Sequence, residues 1–145
     1  MKKKQIPKKA ITGIGNSKSP RISKNNYNDG NAPEFRAGKM DVEGRWGWNN
    51  SNNSKFDMKL FLEKVFENQK LSWQELKNNG SHDVDLDKII TEARKRLEEI
   101  EQDEIAQLYS LRLSGKMRMW GIKDNNIFWI LWWDPHHEIC PSVKG

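Results

Sequence analysis

The chain has 145 residues, a formal net charge of +5, seven Trp, one Cys and a mean hydropathy of −0.93. That length bounds it to one domain with room for a tail. A single Cys excludes an internal disulfide framework and fits a reducing compartment. No apolar run approaches the roughly 18 residues of a membrane span, and the lysine-rich start lacks the apolar stretch of a secretory signal, so a cytoplasmic location without a membrane partner is expected.

The charge is uneven. Residues 1–40 carry ten Lys or Arg against two acids, and the rest of the chain carries fifteen against eighteen. Residues 1–40 are poor in large apolar side chains and show no helical or strand period. Such a segment buries too little to offset its chain entropy. Residues 1–43 are therefore expected to form a disordered basic tail, and residues 44–145 a single domain. Lys2-Lys3-Lys4 and Lys8-Lys9 offer non-specific phosphate attraction. The plainer reading is a solvated tail, with residues 1–40 dispensable for folding.

Gly44-Arg45-Trp46-Gly47-Trp48 is expected as a short extended piece packed on a sheet edge, with a base-stacking platform as the functional alternative. A loop rich in Asn and Ser follows. Ser54 or Asp57 then caps a helix over 55–68, in which Met58, Phe61, Leu62, Val65 and Phe66 recur on one face of a 3.6-residue period. Ser72 and Glu75 have capping-box spacing and open a second helix over 72–79, stopped by Gly80. Leu86, Ile89, Ile90, Ala93, Leu97 and Ile100 mark a third helix over 86–102, whose other face is charged and solvated.

Strands follow at 106–114, 116–123 and 127–133, joined by turns at Ser114-Gly115 and Asp124-Asn125-Asn126 and paired antiparallel in that order. The last strand is apolar at every position from Ile127 to Trp133, which suits a strand covered on both faces. Asp134-Pro135 ends it, because Pro cannot donate to a ladder. It delivers His136-His137-Glu138-Ile139-Cys140-Pro141-Ser142 to one edge of the sheet. The expected fold class is α+β, with helices packed on a small antiparallel sheet of three to four strands.

Four runs carry a resemblance over about 46–142: Leu111 to Lys116, Arg118 to Ile122, Leu131 to His136, and Cys140 to Ser142. Together they resemble a group of small uncharacterised bacterial and phage-associated proteins. The order of two helices, a meander with Gly115-Lys116-x-Arg118, an apolar strand and a terminal His is similar in architecture to the RelE/ParE-like toxins. That resemblance implies helices on a small antiparallel sheet, with the strand before the helices falling on 45–48. It implies ribosome-dependent mRNA cleavage by basic and histidine side chains on the sheet. RNA or the ribosome, and an antitoxin-like protein, would be the partners. It places Arg118 at the basic position of the second meander strand, Lys116 at the turn, and His136 or His137 after the last strand. The Trp132-Trp133-Asp134-Pro135 ending is not the toxin one.

Metal-independent RNA cleavage requires a base for the 2′-hydroxyl, an acid for the leaving oxygen and a cation for the phosphorane. His136, His137 and Glu138 offer proton transfer, so Arg118, His136 and His137 are the candidate catalytic residues. Arg112, Lys116 and Arg118 are the candidate nucleic-acid contacts, Arg being suited to bidentate phosphate binding. Arg112 and Arg118 sit at equal offsets about Gly115 and should face each other across the hairpin, a destabilising like-charge pair unless an anion lies between them. The plain reading pairs each with an acid such as Asp134. His136, His137 and Cys140, with Asp134 and His82, come nearest to a metal set. Adjacent histidines diverge on an extended backbone and no Cys-x-x-Cys occurs, so no metal and no cofactor is expected. Cys140, between Ile139 and Pro141, reads as a small packed residue. The expected function is a toxin-type ribonuclease or an RNA-binding domain. The alternative is a non-catalytic module that binds protein or nucleic acid.

Overall fold

Side chains alternate along a strand, so a strand that is apolar at every position needs cover on both faces. The computed structural model describes residues 29–141 and supplies both covers. Its strands are β1 (Glu34–Arg36), β2 (His82–Asp85), β3 (Gln107–Ser114), β4 (Met117–Asp124) and β5 (Ile127–Asp134). Its helices are α1 (Met58–Asn68), α2 (Trp73–Asn78) and α3 (Thr91–Glu99). One sheet has the order β1-β5-β4-β3-β2. On its first face Leu108, Trp120, Ile122 and Trp132 pack with Ala93 and Leu97 of α3 and with Ile139. On its second face Tyr109, Leu111, Met119, Phe128 and Trp133 pack with Phe61 of α1 and with Trp73 and Leu76 of α2. The fold is α+β in three layers, and Leu131, Trp132 and Trp133 of β5 lie fully buried between them.

The β3–β4–β5 meander is antiparallel, as its turns predict. Gly115 and Asn125 hold the left-handed angles that those turns need, at φ 49° and 55°. A bulge at Trp120–Gly121 lets the backbones approach closely. A Cβ at Gly121 would lie 2.6 Å from the Trp129 carbonyl.

The sheet has five strands rather than three or four, and it is mixed. β2 pairs antiparallel with β3, and β1 pairs parallel with β5. β1 lies inside the stretch expected to be disordered, and the strand before the helices is therefore 34–36 rather than 45–48. Its composition did not announce it, because Phe35 is its one apolar residue. What orders it is the free edge of β5, where Phe35 meets Phe128 at 5.2 Å between ring centres. The remainder of the expected tail, residues 1–28, lies outside the described residues.

Past β1 the chain continues along the same edge. The Asp41 amide donates to the Leu131 carbonyl (3.1 Å), and the Trp133 amide donates to the Trp46 carbonyl (2.8 Å). Gly44 to Trp48 is a turn here, not an extended piece. It straddles the sheet, with Trp46 against Trp132 on the first face and Trp48 against Trp133 on the second.

The helices also differ in detail from the periodic reading. Asp57, not Ser54, caps α1 by accepting from the Leu60 amide. The inward side of α1 is Phe61, Val65 and Asn68, whereas Met58, Leu62 and Phe66 are more than half exposed. The capping box of Ser72 and Glu75 forms at α2. The third helix is shorter than 86–102. Leu86–Lys88 is a 3-10 turn and α3 begins at Thr91, because Ile89 and Ile90 are held extended and the Ile90 amide donates to the Ile139 carbonyl (2.9 Å). Among the described residues no helix is long and apolar enough to cross a membrane.

Candidate functional site

β5 ends at Asp134, whose carboxylate is fully buried. A buried carboxylate is tolerated only when its oxygens are hydrogen-bonded. Here the Trp120 indole donates to Oδ2 (3.1 Å), the Glu138 amide to Oδ1 (2.9 Å) and the Ile139 amide to Oδ2 (3.0 Å). Asp134 thus folds the residues after it back onto the strand. In that turn His137 is forced to φ 60°, a left-handed conformation in which a side chain with a Cβ is strained.

The same end of the sheet carries the cationic residues. Arg112 on β3 is the register partner of Arg118 on β4, and Arg118 is the partner of Asp134 on β5. The like-charge pairing anticipated across the hairpin is present. The plain alternative, in which Asp134 neutralises the arginines, is not: neither guanidinium forms an ion pair among the described residues, and Asp134 is occupied by its own turn. Carbonyl oxygens hold both arginines instead. Arg118 donates through one terminal nitrogen to the carbonyls of Gly115 (2.6 Å) and Met117 (3.1 Å). Arg112 donates to the Asn79 carbonyl at the C-terminus of α2 (3.3 Å), and its amide donates to Ser81 Oγ (2.9 Å). Because carbonyls carry no net charge, these bonds do not neutralise either guanidinium.

Electrostatics register that crowding. Burial, and then the Arg112 charge, pull the Arg118 guanidinium below its ordinary value, against the pull of Asp134. Burial and the Arg118 charge likewise hold His137 below the ordinary imidazole value, with His82 adding to the effect. His137 is therefore kept neutral as a strained, half-buried imidazole beside a cation.

Lys116 and His136 are exposed, Lys116 beside the Gly115 turn and His136 after Pro135. Glu138 is drawn away from this cluster, accepting from the Trp46 indole (3.0 Å) and the Arg45 guanidinium (3.2 Å). It thus does not share the proton chemistry expected of it. Burial raises the Cys140 thiol above its usual value, and Cys140 packs against the first-face core. Among the described residues no group of three or more His, Cys, Asp or Glu is placed to hold a metal ion. Beside Arg112 lies an open cleft of about 630 Å³, whose walls include Asn68, Asn78, Asn79 and Ser114.

Two contributors escaped the residue-by-residue reading. His82, weighed only as a metal ligand, lies near enough to act on His137, and it is the register partner of Ser110. Asp41 is a second buried carboxylate, bound by both Arg96 and Trp132. No local signal marks it, since those partners lie 55 and 91 residues along the chain.

A family model described as "Uncharacterised protein UU032" matches residues 49–145, two thirds of the chain. The match takes in both arginines and the histidine turn, and it begins after β1 and the Gly44 to Trp48 turn. No curated protein and no solved structure matches.

Proposed function

We propose that this chain, which belongs to the Uncharacterised protein UU032 family, binds RNA by its phosphates at the end of the sheet built from Arg112, Arg118 and His137. One observation carries this reading: Arg112 and Arg118 are register partners, and neither guanidinium is in an ion pair among the described residues, Asp134 beside Arg118 being taken up by its own turn. Two like charges held opposite each other destabilise a sheet, and an anion between them reverses the sign of that term. Carbonyl anchors fix each guanidinium yet leave donors over, and an Arg fork matches a phosphate in two-point contact. Lys116 and His136 extend the basic rim. The cleft beside Arg112, whose walls carry the amides of Asn68, Asn78 and Asn79 and one carboxylate, Glu67, gives the base or sugar of a neighbouring nucleotide a place to lie.

Fluorescence anisotropy with a short single-stranded RNA tests this directly. Binding should weaken steeply with salt, as counterion release requires. Arg118→Ala should weaken it at low salt and flatten the salt slope by about one. Equal affinity of the wild type and an Arg112→Ala/Arg118→Ala variant would remove the proposal.

A second reading adds cleavage by a toxin-type ribonuclease, and the neutral state of His137 beside Arg118 favours it. A neutral imidazole next to a phosphate-binding cation is a general base in place, with His136 on hand as the acid. Ribosomes and an antitoxin-like protein would then be the partners. Expression in a bacterial host separates the two readings. A ribonuclease arrests growth and shortens messages, and His137→Ala does neither. An RNA-binding module leaves messages intact in both strains.

A further inference from the structure

We infer that α1 is a homodimer surface, packing antiparallel against the same helix of a second copy about a two-fold axis through Leu62. Met58, Leu62 and Phe66 are 55%, 57% and 58% exposed, and they account for three of the four large apolar side chains left exposed among the described residues. They fall at i, i+4 and i+8, a single ridge on one side of the helix. Scattered apolar side chains need no explanation, but an unbroken ridge of three marks an interaction surface. Its opposite flank, through Phe61, is anchored in the second-face core, so the ridge is carried by a fixed helix.

The flanking charges select the occupant. Lys59 and Glu63 border the ridge on the side away from Phe61 and Val65. In an antiparallel pair of helices, like flanks meet. A two-fold axis at Leu62 therefore sets Lys59 of each copy against Glu63 of the other, twice over. The same axis puts Leu62 on Leu62, and Met58 at the ring edge of the second copy's Phe66, one face of which is taken by its own Lys70 Nζ at 4.0 Å from the ring centre. Within one chain the Lys59–Glu63 distance is 4.0 Å, the limit of an ion pair, and both side chains are largely in water. They can therefore change partners at little cost. Residues 1–28 are a poorer occupant, because a strongly basic segment finds no matching excess of acid along this flank. A contact of three apolar side chains and two flanking charges on each copy falls short of the roughly 1,200 Å² of a stable interface, so the dimer is weak and depends on concentration.

Sedimentation equilibrium of the full chain, from about 5 to 500 μM, tests this, since weak pairs dissociate inside that range. The weight-average mass should rise from 17.0 kDa toward twice that value. Leu62→Glu should weaken association about tenfold or more. Lys59→Glu should weaken it roughly fivefold, and Lys59→Glu/Glu63→Lys should restore it. The charge pair keeps the test decisive if Leu62→Glu disturbs folding. A single mass of 17.0 kDa across the whole range overturns the proposal. So does a dimer that is indifferent to the charge exchange.

Discussion

The Trp132 indole donates to Asp41 Oδ2 at 2.8 Å, joining β5 to a residue 91 positions earlier. Arg96 of α3 grips the same carboxylate through Nε (2.9 Å) and a terminal nitrogen (2.8 Å). The Gly44 amide adds a fourth bond, at 3.2 Å. One carboxylate thus ties β5, α3 and the Gly44 to Trp48 turn together, and Asp41 is itself only 5% exposed.

Asp41→Asn should cost about 1–3 kcal/mol, because it removes the buried charge that Arg96 bonds at two points and leaves that partly exposed guanidinium only Glu99 as an ion partner. Urea unfolding measures this. Burial pushes the Asp41 carboxyl up, but the bonds from Arg96 and Trp132 outweigh it and hold it below 3.8. A carboxylate depressed in the folded state stabilises above its unfolded value, and that share is lost as the pH falls through the folded one. The wild type should accordingly lose stability steeply below about pH 3.8, and Asp41→Asn should lack that step.

His137→Gly should raise stability by about 1 kcal/mol while weakening RNA binding. Glycine adopts a left-handed conformation without the strain that an L side chain suffers there. A gain in stability together with a loss of affinity identifies His137 as a residue held for binding. Because the folded imidazole sits below 6.5, the unfolded chain takes up the proton first. Stability from His137 is present above that pH and is lost as the pH falls through the folded value, and His137→Gly should be free of that loss. RNA affinity should move the opposite way with pH, since a protonated His137 adds a positive charge.

Deleting residues 1–40 should cost about 2 kcal/mol, the order of burying one Phe, because Phe35 covers Phe128. It also bares the edge of β5, so aggregation during thermal unfolding should increase. Thermal stability equal to that of the intact chain would return these residues to the status of a dispensable tail.

Gly121→Ala should cost about 1–3 kcal/mol, the usual cost of overpacking. The added methyl would press on the Trp129 carbonyl at 2.6 Å, and a sheet backbone cannot move aside as a side chain can. Calorimetry on the variant measures the effect.

Features fixed by near neighbours were legible in the sequence. The Ser72–Glu75 box needs only three residues, and the facing of Arg112 and Arg118 needs only the hairpin between them. The burial of β5 on both faces follows from its unbroken apolar run. Features fixed by distant partners were not legible. β1 has one apolar residue and borrows its order from β5. The start of α3 is set by the Ile139 carbonyl, which no pattern around Ile90 reveals. In α1 the period gave a wide apolar face, but Phe61 and Leu62 both belong to it, and only the packing of Trp48 and Phe56 beside Phe61 decides which edge turns inward. The site divides the same way. Arg112, Lys116, Arg118 and His137 were readable as chemistry, whereas the strain at His137 depends on where the Asp134 oxygens reach.

The edge contacts of β5 also bear on how the chain is made. During synthesis β1 and Asp41 leave the ribosome long before Trp132, and until then their partners do not exist. Contacts of such long sequence separation slow folding, since a large loop must close before they contribute. α1 and α2 are complete early, but the sheet surface they cover arrives only with β3, β4 and β5. The nascent chain therefore holds Phe61 and Trp73 without the cover of the sheet until the meander emerges, and neither core layer can be completed before β5 is in place.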